Sequence, residues 1–200
     1  SSSTGGDSGS SNLTTDPATY STVSGMTIKS KWFYSASTNN FPSQLTIANR
    51  GMTAYNGNVY IAQQGGALLE LNGETGELLR TITLTGDCLT SSSGTSLSYA
   101  ANDVFVDGAG NLCVSNLLNS TTQPFTVCTV NTSTGATTRI LETYLNTTSI
   151  ERIDYAAAYG NVTASGGQIW AAVASSDLVY RWTRNSSGSW TKESTTIGTY

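Results

Sequence analysis

The sequence contains three copies of one pattern, and this repetition restricts the architecture of the chain more than any single residue does. The copies, called units 1, 2 and 3 below, cover residues 50–84, 102–142 and 152–195. Each contains four short apolar segments separated by turns. A four-stranded antiparallel meander is the simplest structure for such a unit, and it needs neighbours to bury both of its faces. The three units are therefore expected to stack.

Glycines recur at two turn positions of every unit. One position lies between the first two segments and the other between the last two. Tight turns between antiparallel strands require positive φ angles, which glycine adopts without steric cost. The first set is Gly57, Gly110 and Gly166, and the second set is Gly76, Gly135 and Gly188. These glycines predict two hairpins in each unit.

The repeat predicts an all-β fold of the β-propeller type. The three units would be four-stranded antiparallel blades, and the β-rich segment 26–35 would add one N-terminal strand, at the outside of a blade. Closed propellers have ~4–8 blades, so residues 21–200 are expected to form part of a larger ring, with further blades after Tyr200. Residues 1–20 are rich in Ser, Gly and Thr and are expected to be a flexible tether.

The composition argues against two kinds of partner. The formal net charge is −4 and only 11% of residues are charged, so the chain offers no basic surface for nucleic acid or for an anionic membrane. No stretch approaches ~18 apolar residues, and no signal peptide begins at Ser1. We therefore expect contact with a membrane only through a lipid anchor that precedes Ser1.

The residue inventory argues against catalysis. The chain has no histidine, which removes the usual general base at neutral pH and the commonest zinc ligand. Gly65-Gly66 lies inside a hairpin rather than between a strand and a helix, so it is not a nucleotide-binding loop. Asp87 lacks the acidic neighbours of a calcium loop and is expected to be a solvated turn residue. The sequence thus predicts no catalytic residue, no metal site and no cofactor.

A glycosidase remains open as the alternative, because glycoside hydrolysis needs only two carboxyl groups about 5–9.5 Å apart. Asp103 and Asp154 are the candidates, since both lie at the start of a unit's first strand, which is innermost in a propeller. We favour a structural interpretation, in which each carboxylate caps a turn or accepts backbone N–H bonds. Asp107 belongs to the hairpin turn Asp107-Gly108 and is expected to be structural.

The loops between strands predict where a ligand would bind. In a four-stranded meander, the connection from the second to the third strand and the connection to the next unit emerge on one face, called the loop face below. Long loops on a rigid scaffold tend to carry binding residues. Five polar residues at the starts of first strands are expected to converge there and to form charge-assisted pairs between units. They are Arg50, Asn102, Asp103, Arg152 and Asp154.

Aromatic side chains add two ligand-binding candidates, Trp32 and Tyr34, which alternate along one segment. Exposed aromatic rings serve as platforms for sugars or peptides. Tyr99 and Tyr155 are further rings that could act in this way. Four other rings fall within strands and are expected to pack between units: Tyr60, Trp170, Tyr180 and Trp182.

The three cysteines allow one disulfide at most. Cys113 and Cys128 would face each other if the second and third strands of unit 2 pair, and facing residues lie near the distance that a disulfide needs. Cysteine also packs well as a small hydrophobic residue, and on that ground we favour two buried thiols over a bridge.

Several short phrases between residues 31 and 190 are shared with a known family. The phrases are Arg50-Gly51-Met52, Asn102-Asp103-Val104, Asn116-Leu117-Leu118 followed by Pro124-Phe125, Arg152-Ile153-Asp154, and Val179-Tyr180-Arg181-Trp182. They resemble a family of uncharacterised β-propeller lipoproteins exported by Bacteroidetes-type bacteria, and the Ser/Gly/Asp-rich start of the chain resembles the tether that follows the lipidated cysteine of that family. The resemblance implies a propeller at the cell surface or outer membrane of a Gram-negative bacterium, or a secreted one, and no settled activity.

Taken together, these features predict a non-catalytic binding or scaffolding lipoprotein at the cell surface. It would engage a glycan, a peptide or an outer-membrane partner protein through the loop face. The competing class is a propeller glycoside hydrolase or polysaccharide lyase, which a histidine, tyrosine or carboxylate at the first-strand starts of further units would favour. A third alternative is a structural subunit of a surface assembly.

Overall fold

The structure, a computed structural model, describes residues 21–23, 26–28, 32, 34, 42–145 and 148–198. In these residues every regular element is a β-strand, and the strands form one small hairpin and three larger sheets. The all-β class predicted from the repeat is therefore confirmed. The expected tether at residues 1–20 lies outside the described residues.

The N-terminal hairpin pairs β1 (Ser21–Val23) with β2 (Met26–Ile28) in antiparallel fashion. The strand predicted for residues 26–35 therefore begins at Met26, as expected. In the described part of the chain its partner is β1 and not a strand of a larger sheet. Apart from Trp32 and Tyr34, the remainder of the predicted strand lies outside the described residues.

Unit 1 forms a four-stranded antiparallel sheet in which the strands follow one another in chain order. Its strands are β3 (Asn49–Tyr55), β4 (Asn58–Gln63), β5 (Ala67–Asn72) and β6 (Leu78–Thr83). Positive φ angles at Asn56 and Gly57 close the first hairpin, and Gly76 has a φ of 73° in the last one. The glycine positions seen in the sequence therefore mark real turns.

Units 2 and 3 repeat this meander. Unit 2 contains β8 (Asp103–Val106), β9 (Leu112–Ser115), β10 (Phe125–Val130) and β11 (Ala136–Thr143). A fifth strand, β7 (Thr85–Gly86), pairs with β11 in parallel and covers its outer edge. Unit 3 contains β12 (Ala156–Tyr159), β13 (Gln168–Ala172), β14 (Leu178–Arg184) and β15 (Trp190–Thr196). The three units are thus three antiparallel sheets of four to five strands.

Two apolar clusters form the core, one at each junction between units. The first contains Tyr60 and Leu68 of unit 1 together with Val114 of unit 2. The second contains Phe125 of unit 2 and Trp182 of unit 3, whose rings stack with centroids 5.6 Å apart. Because successive residues of a strand point to opposite faces, unit 2 contributes one face to each cluster.

The aromatic predictions hold for three residues of four. Tyr60, Tyr180 and Trp182 are buried in the core, as expected from their position in strands. Trp170 does not join them, because its register on β13 turns it to the face of unit 3 that points away from unit 2. There it lines an open cavity together with Val179.

The cysteines are buried thiols, and the structure corrects the register assumed for two of them. Cys113 is paired across the sheet with Thr129, and Cys128 with Val114. This offset of one residue places Cys113 and Cys128 on opposite faces of unit 2. Cys88, Cys113 and Cys128 are all free. Burial raises the pKa of the Cys113 thiol to about 12.

The first strands of the three units, β3, β8 and β12, lie side by side and join the three sheets. Asp107 connects units 2 and 3, since its Oδ2 accepts the N–H of Val162 at 2.9 Å. Its Oδ1 accepts two N–H groups of its own hairpin, so the structural role predicted for Asp107 is confirmed. Between units 1 and 2, the Gly51 N–H donates to the Asn102 carbonyl at 2.9 Å. One bond thus joins the start of β3 to the start of β8, and the other joins the residue after β8 to the segment after β12.

Candidate functional site

The connections expected on the loop face lie together there and contact one another. The Gln63 amide donates to the Gln44 carbonyl at 2.7 Å, which joins the loop before unit 1 to its second hairpin connection. The Ser92 N–H donates to the Glu142 carboxylate at 2.8 Å. The Gln123 side-chain oxygen accepts the Ser98 N–H at 3.2 Å. Hydrogen bonds thus join neighbouring connections on the loop face of units 1 and 2.

Tyr99 lies on this face in an unusual backbone conformation. Its φ of 49° is left-handed, which is rare for a bulky residue and marks a position that the surrounding structure enforces. The Tyr99 carbonyl accepts the Leu117 N–H at 3.2 Å. The Arg50 guanidinium lies 5.0 Å from the centre of the Tyr99 ring and also donates to the Gln64 side chain at 2.5 Å. A cation of unit 1 and a ring of the connection between units 1 and 2 are thus held together.

Arg152 and Asp154 form the second charged element of the loop face. The guanidinium donates through Nε at 2.9 Å and through Nη2 at 2.7 Å to the two carboxylate oxygens, which is the bidentate geometry. The hydrogen bond with Asp154 raises the pKa of Arg152, and Tyr155 and Tyr99 lie close enough to contribute. The Tyr155 ring is 61% exposed. Arg152 and Asp154 therefore form an ion pair beside the exposed Tyr155.

Asn102 connects the two charged elements. Its side-chain amide donates to the Asp154 carbonyl at 2.5 Å, and its own carbonyl accepts the Gly51 N–H. Arg50, Asn102 and Asp154 occupy equivalent positions at the starts of the innermost strands, as the registers of the three sheets show. The predicted convergence of these residues is therefore present in the structure.

Asp103 differs from the other candidates because it points into the protein. The residue is only 6% exposed, and its two oxygens accept the N–H groups of Val104 and Ala156, both at 2.9 Å. Desolvation raises the pKa of Asp103 to about 6, and the two N–H donors oppose that shift. This is the structural arrangement preferred in the sequence analysis.

The charge pairing differs from the expectation of ion pairs between units. Arg152 pairs with Asp154 of its own unit, and Arg50 contacts neutral partners, Gln64 and Tyr99. Among the five candidates, Asn102 and Asp103 connect units 2 and 3, through hydrogen bonds between their side chains and backbone groups of unit 3. The buried polar side chains pair with backbone donors and acceptors, because strands β3, β8 and β12 lie close to one another.

Trp32 and Tyr34 lie at the other end of the sheets. The Trp32 indole donates to the Gly73 carbonyl at 3.0 Å, and the Tyr34 hydroxyl donates to the Gly76 carbonyl at 2.6 Å. Gly73 and Gly76 belong to the hairpin between β5 and β6, whereas Arg50 lies at the start of β3. The strands alternate in direction, so this hairpin is at the end opposite the loop face. The structure therefore does not bring the two rings together with the other candidates.

Two contributors to the site were expected from the sequence only as members of larger groups. Tyr99 was one of several rings that could act as a platform, and neither of its neighbours Ser98 and Ala100 indicates a left-handed residue. Gln64 lies in the short connection from β4 to β5, which the sequence had assigned as a whole to the loop face. The two residues complete a cluster, called the loop cluster below, of Arg50, Gln64, Tyr99, Asn102, Arg152 and Asp154.

The loop cluster is suited to recognition by hydrogen bonds. It offers guanidinium and amide donors, a carboxylate acceptor and aromatic rings. Asp103 and Asp154 do not form an exposed pair of acids, since one is buried against N–H groups and the other is neutralised by Arg152. Over the described ranges, no three residues of His, Cys, Asp or Glu form a group that could hold a metal ion.

No helix within the described residues is long and apolar enough to cross a membrane. No protein-family model matches the sequence, and a search of curated proteins gives no match.

Proposed function

We propose that the three units are blades of a β-propeller and that the chain is part of an exported, non-catalytic binding protein that recognises a glycan at the loop cluster. The observation that carries this proposal is the enforced left-handed conformation of Tyr99 beside Arg50. Backbone strain of about 1–3 kcal/mol is retained where surrounding structure over-determines it, and such positions cluster at binding sites.

The chemistry of the cluster favours a sugar over other ligands. Neighbouring hydroxyls of a sugar ring match the paired donors and acceptors of Arg152 and Asp154, and its apolar face matches the exposed Tyr155 ring. The side-by-side packing of β3, β8 and β12 supports the propeller assignment, because propeller blades meet at their innermost strands. Export and a lipid anchor rest on the resemblance to the surface lipoproteins alone.

Binding to a glycan array tests this function, with Tyr99→Gly as the informative variant. Glycine accepts the left-handed φ without strain, so the variant removes the ring while sparing the backbone. We expect its affinity for the bound glycan to fall by about tenfold or more, equivalent to ~1.4 kcal/mol, with the melting temperature nearly unchanged.

Tyr144→Gly is the matched control, because Tyr144 is an exposed tyrosine outside the loop cluster. Binding that is lost equally in both variants, or binding of peptides but not of glycans, would contradict the assignment of a sugar site. Release of shortened products from any bound glycan would show that the protein is a hydrolase or lyase instead.

A further inference from the structure

Arg50 is an exposed cation of the loop cluster, and no acid pairs with it in the part of the chain that the structure describes. Its guanidinium contacts two neutral groups, the Gln64 side chain at 2.5 Å and the Tyr99 ring, whose centre lies 5.0 Å away. The other described arginines of the loop face are each paired with a carboxylate, Arg139 with Glu142 and Arg152 with Asp154. Arg50 is therefore available to an acidic ligand.

The loop cluster carries one positive charge that its own residues leave uncompensated. Asp154 is the acid of this cluster, and Arg152 neutralises it through bidentate bonds. The neighbouring Asp103 is buried and directs its oxygens to the N–H groups of Val104 and Ala156. The whole chain has a net charge of −4, so this positive charge is a local feature and not part of a basic surface.

The Arg50 guanidinium is held in position, yet most of its hydrogen-bonding capacity is unused. A guanidinium has five N–H donors. Nη2 donates to Gln64, whereas Nε and Nη1 donate to no atom of the described residues. Because contacts with Gln64 and Tyr99 already orient the side chain, a ligand loses less free energy in ordering it. A planar carboxylate accepts two parallel N–H bonds from a guanidinium, and such charge-assisted bonds are stronger than neutral ones.

Arg50 also lies close to the groups that match sugar hydroxyls. The Asn102 carbonyl accepts the N–H of Gly51, the residue after Arg50, at 2.9 Å. The Asn102 side chain donates to the Asp154 carbonyl at 2.5 Å. Asn102 thus lies between Arg50 and the pair of Arg152 and Asp154, so an oligosaccharide can contact both.

We propose that the glycan bound at the loop cluster is acidic, and that the carboxylate of a uronic acid residue binds the Arg50 guanidinium. Hydroxyls of the same oligosaccharide bind at Arg152 and Asp154. The inference rests on the proposed glycan-binding function and adds the charge of the ligand to it. An uncharged glycan would cover Arg50 without supplying an opposite charge, whereas a uronic acid supplies one in the geometry that a guanidinium favours.

Matched oligosaccharides test the charge of the ligand. The array carries neutral oligosaccharides, uronic acid oligosaccharides, the same uronic acid members with each carboxyl group reduced to a primary alcohol, and sulfated neutral members. The unaltered chain should bind at least one uronic acid member about tenfold or more tightly than its reduced form. In Arg50→Gln the ratio of the two affinities should fall to about one, because glutamine carries no charge. A folding defect would weaken both affinities alike and leave their ratio unchanged.

Arg184→Gln is the matched control. Arg184 also lies beside a ring, 5.5 Å from the centre of Trp190, and forms no ion pair with a described residue. It is the last residue of β14, at the end of the sheet opposite the loop face. This variant should keep the preference for uronic acid members.

Three results would overturn the inference while leaving the glycan-binding function in place. They are equal affinity for uronic acid members and their reduced forms, a preference for sulfated members, and a preference for uronic acid that survives in Arg50→Gln. Binding to no member of the array would overturn both the inference and the proposed function.

Discussion

Asp103 shows how a polar residue can occupy the centre of a β-protein. Its carboxylate is buried where units 1, 2 and 3 meet, and it is held by N–H groups of units 2 and 3 instead of by a cation. A methyl group added at Gly51 of unit 1 would lie 2.0 Å from its Oδ1. A small residue at position 51 is therefore a condition for burial of Asp103.

The raised pKa of Asp103 gives a prediction for stability against pH. The folded chain holds the proton up to about pH 6, whereas the unfolded chain releases it near 3.8. Ionisation therefore favours unfolding, and the contribution of Asp103 to stability decreases by roughly 2 kcal/mol as the pH rises from 4 to 7. Denaturant melts of Asp103→Asn and the unaltered chain at several pH values measure it.

The difference in the free energy of unfolding between the variant and the unaltered chain isolates Asp103 from the other carboxylates. Glu70 and Asp107 have lowered pKa values and lose stability as the pH falls, in both proteins alike. We expect Asp103→Asn to gain on the unaltered chain between pH 4 and pH 7. A difference that does not vary with pH would mean that Asp103 is not desolvated.

At the scale of the strand, turn chemistry was readable from the sequence and register was only partly so. Gly110 and Gly135 mark hairpins because they adopt positive φ angles that other residues resist. The side on which Cys128 lies depends on the length of the connection before β10, and a change of one residue there reverses every side chain. The position of Trp32 depends on a contact 41 residues away, which no local pattern encodes.

The packing of β3 against β8 gives a prediction for Gly51. Its Gly51→Ala variant would place the new Cβ against the Asp103 carboxylate and within 3.0 Å of the Asp103 Cα, which is backbone and cannot rotate away. We expect a loss of about 1–3 kcal/mol in the free energy of unfolding, as is typical when a packed site is overfilled. Urea denaturation measures this loss.

Gly65→Ala is the matched control for this substitution. No atom lies within 4 Å of the added Cβ at Gly65, which is also exposed. Its stability should stay unchanged or rise by about 0.4–1 kcal/mol, because alanine restricts the unfolded chain. Equal losses in the two variants would show that β3 and β8 do not pack as described.

At the scale of the whole molecule, the two core clusters make the three units one structure. Unit 2 supplies a face to each cluster, so loss of either junction exposes part of its interior. The repeat made this stacking predictable, since an isolated meander leaves a face uncovered. The loop cluster was less predictable, because Tyr99 acquires its place from contacts with Arg50 and Leu117 of two different units.

The reactivity of the buried thiols can show whether the two core clusters open together. Cys88 and Cys128 lie in the first cluster and Cys113 in the second, and burial raises the pKa of each. Because thiolates are the reacting form, a thiol reagent at neutral pH should label all three at one rate, set by unfolding. Mass spectrometry of partly labelled protein should show unlabelled and fully labelled chains. Early labelling of Cys113 alone would mean that unit 3 detaches first.

The order of the acid and the base across the strands is opposite in units 1 and 3, and this difference helps the chain to avoid misassembly. Similar repeats risk docking onto the wrong neighbour while they fold. On neighbouring second, third and fourth strands, unit 1 has an aromatic residue, an acid and a base, whereas unit 3 has an aromatic residue, a base and an acid. The residues are Tyr60, Glu70 and Arg80 in unit 1 and Trp170, Arg181 and Glu193 in unit 3. Unit 2 has Cys113, Thr129 and Thr138 at the equivalent positions. The three sheets therefore differ in the side chains at these equivalent positions, although their backbones are similar. Exchanging Glu70 with Arg80 would give unit 1 the charge order of unit 3. Refolding of that variant should then yield more chains in which a unit packs against the wrong neighbour.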